Sequence, residues 1–419
     1  QGQLGLMEKA FKAAEALAAY TAPERLLDAA TAFSRRHKND AALHLYQTLL
    51  KIYPENENAA HNVNSLMNNE EAIGFWSGIN ETAPEAVLPW LQLGTAYDKA
   101  GNREAAKHAY IMAYKSDPDN AEALLQYYAA SPENHNPEDM IKNISMIVTS
   151  DPEHAHLAVE CLEQAAAFYA GKEQHDFARM FYGAAARLAP ENHFVSVRVA
   201  EALAATGDVE GARSQLIALL HEEPCDSAAA ALQRLLLEHA TEEERLAFWR
   251  SQAALENASP CALFYYGCAL ADAGHYEEAA NVFDTLQDQG YEAPELALRL
   301  PIVQLAAGQN EAGSEVHQYV KQSHPELASL GVQLLLDAAE TLNAQNNPRK
   351  AAAVAREALE LSPETEIGWL ALGEALAAQG RQEEALDVFA EAFGSASSCK
   401  QIALRLDSLF EATGNQQQR

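Results

Sequence analysis

Apolar positions recur at intervals of three and four along almost the whole chain, as in Leu372 and Leu376 and then Ala385, Phe389 and Ala392. That is the period of a helix with one buried face. Sustained alternation with period two is lacking, as are β-branched runs and Asn-Gly hairpin turns, so no strand is predicted. The predicted helices are short, about 12 to 16 residues each, and are separated by Gly, Asn, Asp and Pro. No stretch of ~18 uncharged apolar residues occurs, which argues against a membrane span.

The helical segments repeat. Trp90, Leu93, Gly94, Tyr97, Ala106, Tyr110, Ala113 and Pro118 form one unit. Trp369, Leu372, Gly373, Leu376, Ala385, Phe389 and Ala392 form another with the same spacings, and Ser397 stands where the closing proline would be. Weaker copies lie in register between them, for example Leu162, Ala166, Tyr169, Ala178, Tyr182, Ala185 and Pro190. Gly101, Gly207, Gly274, Gly308 and Gly380 each follow the first helix of a unit, where a left-handed residue ends a helix. Glu104, Glu210, Glu277, Glu311 and Glu383 follow in the first turn of the second helix, where they complement its dipole. Small residues at Ala106, Ala212, Ala279 and Gly313 let the two helices of a pair approach. The aromatic four residues later is expected to fill the gap against the next pair.

These residues resemble the tetratricopeptide repeat, a 34-residue helix–turn–helix unit. The resemblance covers about nine-tenths of the chain. It implies an all-α fold, a right-handed superhelical solenoid of about eleven stacked antiparallel helix pairs. The expected organisation is a cap helix within 1–22 and repeats over 23–154, with 57–86 degenerate. Further repeats are expected over 159–327, with 227–259 degenerate, and over 332–399, before a C-terminal cap helix and tail over 400–419. Four extra residues before 159 and before 332 predict longer turns or an added helical turn. Trp76 and Trp249 each fall in a degenerate unit, and either pack between repeats or stand exposed as dimer contacts.

In this family the first helix of each pair lines a concave groove through its second, fifth, ninth and twelfth positions. Carried onto this chain, the groove would hold Leu88, Leu91, Thr95, Glu163, Phe194, Val197, Phe264, Cys268, Leu336 and Leu370, with Arg198 as one of few basic residues nearby. Phe194 and Phe264 could equally be core between repeats. The chain departs from chaperone-binding members of the family, because Leu91 and Thr95 stand where Lys and Asn would clamp a carboxylate. The implied ligand is a protein segment with apolar anchors and basic flanks.

Composition narrows this. Apolar residues make up 48% of the chain, enough for a core, and alanine is about a fifth. With 60 acidic against 29 basic residues the formal charge is −31. Such a surface repels phosphate backbones and anionic lipid, so neither nucleic acid nor a membrane is an expected partner. Five cysteines, unevenly spread and without Cys-x-x-Cys, read as buried thiols in a reducing compartment. A cytoplasmic location is expected, or a periplasmic one if a leader was removed. The composition has a bacterial look, and the Gln-rich tail reads as a natural end.

No motif for chemistry stands out. Neither G-x-x-x-x-G-K-[ST] nor G-x-G-x-x-G is present, nor G-x-S-x-G, nor H-E-x-x-H. His154 and His156 are two apart and so do not share a helix face. Cys261 and Cys268 are about 10 Å apart along one helix, too far for a disulfide. The expectation is no catalytic residue, no cofactor and no metal: a non-enzymatic interaction scaffold or adaptor. The alternative is the substrate-recruiting or regulatory region of a larger modifying enzyme such as a glycosyltransferase. Homo-oligomerisation is a further use of the same surfaces.

Overall fold

The structure is a computed structural model that describes residues 23–222, 226–309, 311–395 and 402–405. The cap helix expected within 1–22 and most of the cap helix and tail expected over 400–419 lie outside these residues, as do Cys225 and Cys399. Every regular element among the described residues is helical, and most successive helices pack against each other as adjacent pairs. The chain divides at Ala212 into two compact units, and the division falls inside the helix Val209–Glu222.

The first unit holds α1 (Pro23–Ser34), α2 (Asn39–Ile52), α3 (Glu57–Leu66), α4 (Asn69–Thr82), α5 (Val87–Lys99) and α6 (Arg103–Ser116). It continues with α7 (Ala121–Ala130), α8 (Pro137–Ser150), α9 (Ala155–Gly171), α10 (His175–Leu188) and α11 (His193–Ala205). α12 (Val209–Glu222) crosses the division. The second unit holds α13 (Asp226–His239), α14 (Glu242–Ala253), α15 (Pro260–Asp272), α16 (Tyr276–Asp288), α17 (Pro294–Ala307) and α18 (Ala312–Gln318). It ends with α19 (Ala328–Ala344), α20 (Pro348–Leu361), α21 (Glu366–Ala378) and α22 (Gln382–Ser395).

The turns follow from residue chemistry. All five predicted glycines have positive φ, from 75° to 109°. Each sits in a reversed turn in which the amide just after the glycine donates back five positions, as Asn102 N does to Tyr97 O at 2.9 Å. Three further pairs make the same turn with His37, Glu173 and Asn346 in the left-handed region, so glycine is favoured there without being required. Asn56, Asn102, Asn120, Asn136, Asn192 and Ser259 cap the helices that follow them, each accepting from a backbone amide of the first turn. The four extra residues before 159 and before 332 are an added helical turn: α9 and α19 each run 17 residues and start at 155 and 328.

The two degenerate units are a second version of the pair. They join their helices through Met67-Asn68 and Ala240-Thr241 with no left-handed residue. Instead Asn68 with Glu71, and Thr241 with Glu244, form reciprocal capping boxes. Trp76 and Trp249 each lie eight residues after the cap. Both are fully buried and donate from Nε1 to a side chain of the preceding helix, to Asn64 at 2.9 Å and to Gln233 at 2.6 Å. The buried alternative therefore holds, and neither indole is exposed for a dimer.

Packing corrects one expectation. Tyr110, Phe283 and Phe389 close the gap inside their own pair, against Gly94, Gly267 and Gly373 of the first helix. A Cβ at Gly373 would come within 2.9 Å of Phe389 Cε2, and one at Gly94 within 2.8 Å of Tyr110 Cζ. The glycine in the consensus is thus a seat for the ring. Gly373→Ala should cost about 1–3 kcal/mol through overpacking, read as a lower thermal midpoint. A midpoint equal to wild type would show that the ring is free to shift.

Candidate functional site

The residues carried over from the repeat family separate into two sets. Leu88, Leu91, Val197, Phe264, Cys268 and Leu336 are buried. This corrects the expectation that they line a groove. The reason lies in the neighbouring helices: Leu88 shares a core with Trp76 and Ile79, and Leu91 shares one with Tyr110 and Ala123. Phe264 packs 5.8 Å from the Phe283 ring and 5.3 Å from Tyr265. Leu370 is half-buried against the core of the second unit. Thr95 is half-buried and donates to Leu91 O of its own helix at 3.0 Å.

The other set comes together in the first unit, on α9 and α11. Phe194 is 54% exposed, the largest apolar side chain left open on either helix. Asn192 caps the helix at this point, its Oδ1 accepting from Phe194 N at 3.2 Å, so the ring is held at the first turn. Arg198, one turn on, lies over the ring with its guanidinium carbon 5.0 Å from the centroid. Its Nη1 also donates to Glu201 at 2.8 Å. From α9, Glu163 feels the same guanidinium; partial burial, then Glu160, push its carboxyl up, while Arg198 and then His156 oppose them. Tyr182 of α10 is in the same field, its phenol raised by burial and eased by Arg198. One cation therefore serves several acids, and the patch is an open aromatic ring inside a net-acidic border.

Two other concave places were not anticipated. In the first unit a cleft of about 400 Å³ is lined by Asn80, Trp90, Tyr97 and His108. Trp90 closes one side, donating to Pro84 O at 3.0 Å. In the second unit Asp272, Arg299 and Asp337 line a depression along α15, α17 and α19. Asp272 is raised by burial, against the pull of Arg299 and then of Arg245, whose Nη2 is 3.7 Å away. Glu242 and Asp337 act in the opposite sense to the two arginines. The sequence signal of this depression was a charged residue interrupting each apolar helix.

The remaining chemical candidates are inert. Cys161, Cys261 and Cys268 are free and buried. Burial pushes the Cys268 thiol up to about 11, and burial with the neighbouring Asp226 pushes Cys261 up to about 12, so neither is a nucleophile at neutral pH. His154 pairs with Asp151 at 3.0 Å and His156 with Glu160 at 3.5 Å, on separate partners. Among the described residues no helix is long and apolar enough to cross a membrane.

The geometry of the two best units, a ring seated on a helical glycine after a left-handed turn, coincides with a family match. The tetratricopeptide repeat profile matches residues 91–127 and 336–398. The chain contains tetratricopeptide repeats. Chains of solved structures similar to this one include that titled "Structure of Naa15/Naa10 bound to HypK-THB", at 14% identity and a TM-score of 0.32, over 93% of this chain and 66% of that one. This chain thus spans just under two thirds of its length. Another is a tetratricopeptide repeat protein from Parabacteroides merdae ATCC 43184, at 16% identity and a TM-score of 0.34, over 60% of this chain and 98% of that one. No curated protein matches the chain. Tetratricopeptide repeats in general mediate protein–protein interaction.

Proposed function

We infer that this chain is a non-enzymatic interaction scaffold that binds a segment of another protein on the surface formed by α9 and α11. The observation that carries the reading is Phe194. An aromatic side chain more than half exposed at a helix start, stacked under Arg198, is an anchor without a partner. Glu160, Glu163 and Glu201 around it select a segment whose apolar residue is flanked by Lys or Arg. Exclusion of acidic partners follows from the net charge of −31.

The test is selection of a random peptide library on the immobilised chain. Peptides with an apolar residue and basic flanks should be enriched, and their binding should weaken as salt rises. Phe194→Ser should lower their affinity by about 30-fold or more, the usual effect of truncating an anchor worth ~2 kcal/mol. Enriched peptides that bind the variant equally well would move the binding surface elsewhere.

A further inference from the structure

α18 and α20 face each other in the second unit, and three side chains converge between them: His317 from α18, and Glu357 and Glu360 from one face of α20. One donor atom from each lies within 4.8 Å of the other two. Glu357 is only 9% exposed, and its Oε1 is buried with no hydrogen-bond partner among the described residues. His317 Nδ1 is also buried and has no partner among the described residues. A buried carboxylate normally finds a cation or a set of donors. Here the group beside Glu357 on α20 is another acid, Glu360. Room for the carboxylate is made by Gly313, one turn before His317. A Cβ there would lie 2.8 Å from Glu357 Oε2.

We propose that His317, Glu357 and Glu360 bind a divalent transition-metal ion of the zinc class. The donor set is one imidazole nitrogen and two carboxylates, which suits zinc, manganese or cobalt better than the all-oxygen ions calcium and magnesium. Bonds of about 2.0–2.2 Å place tetrahedral donors about 3.4 Å apart. Every pair of donors already lies within 4.8 Å, and binding would draw them toward that value. The ion would satisfy the orphaned oxygen and nitrogen together and remove the repulsion between the two acids. It would also clip α18, only seven residues long before the wide turn Tyr319–Ser323, to the second helix of the next pair.

The test is calorimetric titration of the full chain with zinc chloride, beside Glu357→Gln and His317→Asn. The first variant keeps the shape of the side chain and removes its charge, so its fold is expected to survive. Wild type should bind one equivalent of zinc that both variants bind at least tenfold more weakly. Its cobalt form should show ligand-field bands without a thiolate-to-metal band, and hydrogen exchange over 312–323 should slow with zinc in wild type alone. Wild type that takes up no zinc would overturn the proposal. So would equal uptake by both variants, or a thiolate band placing the ion on a cysteine.

Discussion

Phe264→Glu should unfold the middle of the second unit, while Phe194→Glu should leave stability nearly unchanged. The two residues take the same place in their repeats to within a few positions, and their surroundings decide the outcome. Phe264 is 5% exposed, between Tyr265, Phe283 and Tyr291. Removing the ring alone costs about 3–5 kcal/mol. A carboxyl group placed there finds no donor and is forced to stay protonated or bring in water, adding ~2 kcal/mol or more. The sum exceeds what a local group of repeats can lose, because each repeat is held by its own packing and its two neighbours. The loss should be local: hydrogen-exchange protection should fall over 260–307 more than over 87–130. At position 194 the substitution gives up one ring contact with Arg198 and gains a Glu-to-Arg pair four residues apart in the favourable order. Exposed changes of this kind stay within about 0.5 kcal/mol. Thermal melts followed by circular dichroism distinguish the cases. Equal midpoints for the two variants would contradict the burial assigned to Phe264.

How far the sequence was legible depended on how local the encoding was. Trp90, Leu93, Gly94, Tyr97, Ala106 and Tyr110 encode one pair within about twenty residues, and each has one physical task, so the all-α repeat architecture could be read directly. The seat of Tyr110 on Gly94 was misassigned to the next pair because spacing states that two residues are complementary and leaves open which surfaces meet. The binding surface was less legible. Positions two, five and nine of a first helix face outward or inward according to how much apolar surface the flanking pair presents. Phe194 is open and Leu88, at the matching position, is closed. Nothing within α5 or α11 alone distinguishes them. The cluster of His317, Glu357 and Glu360 was invisible for a different reason, since its members come from two helices and match no motif. Its one trace is Glu357 itself, an acid set in the buried run Ala355, Ala358 and Leu359 where the helical period demands an apolar residue.

Trp249→Ala should be the costliest truncation among the buried aromatics of the second unit, and Trp76→Ala its counterpart in the first. Each indole is fully buried and meets a neighbouring aromatic: Phe248 at 5.1 Å and Tyr265 at 5.1 Å around Trp249, Phe75 at 5.0 Å beside Trp76. Truncation costs about 3–5 kcal/mol for the ring and its cavity. It also strands a polar partner, the Gln233 amide oxygen in one unit and that of Asn64 in the other, for ~1 kcal/mol or more. Trp→Phe separates the two parts: most of the ring volume stays and the donor goes, so the cost should fall to about 1–2 kcal/mol. The substitution Gln233→Leu in the Trp249→Phe background should restore part of that loss, because replacing both polar partners by apolar groups removes the unsatisfied atom. A double-mutant cycle on these two positions measures the coupling directly. Zero coupling would mean that the hydrogen bond contributes nothing and that the indole is held by packing alone. Coupling of about 1 kcal/mol in both units would establish that the two divergent repeats share one design, in which a capping box and a buried tryptophan replace the left-handed turn and the ring-on-glycine contact seen at Gly94, Gly267 and Gly373.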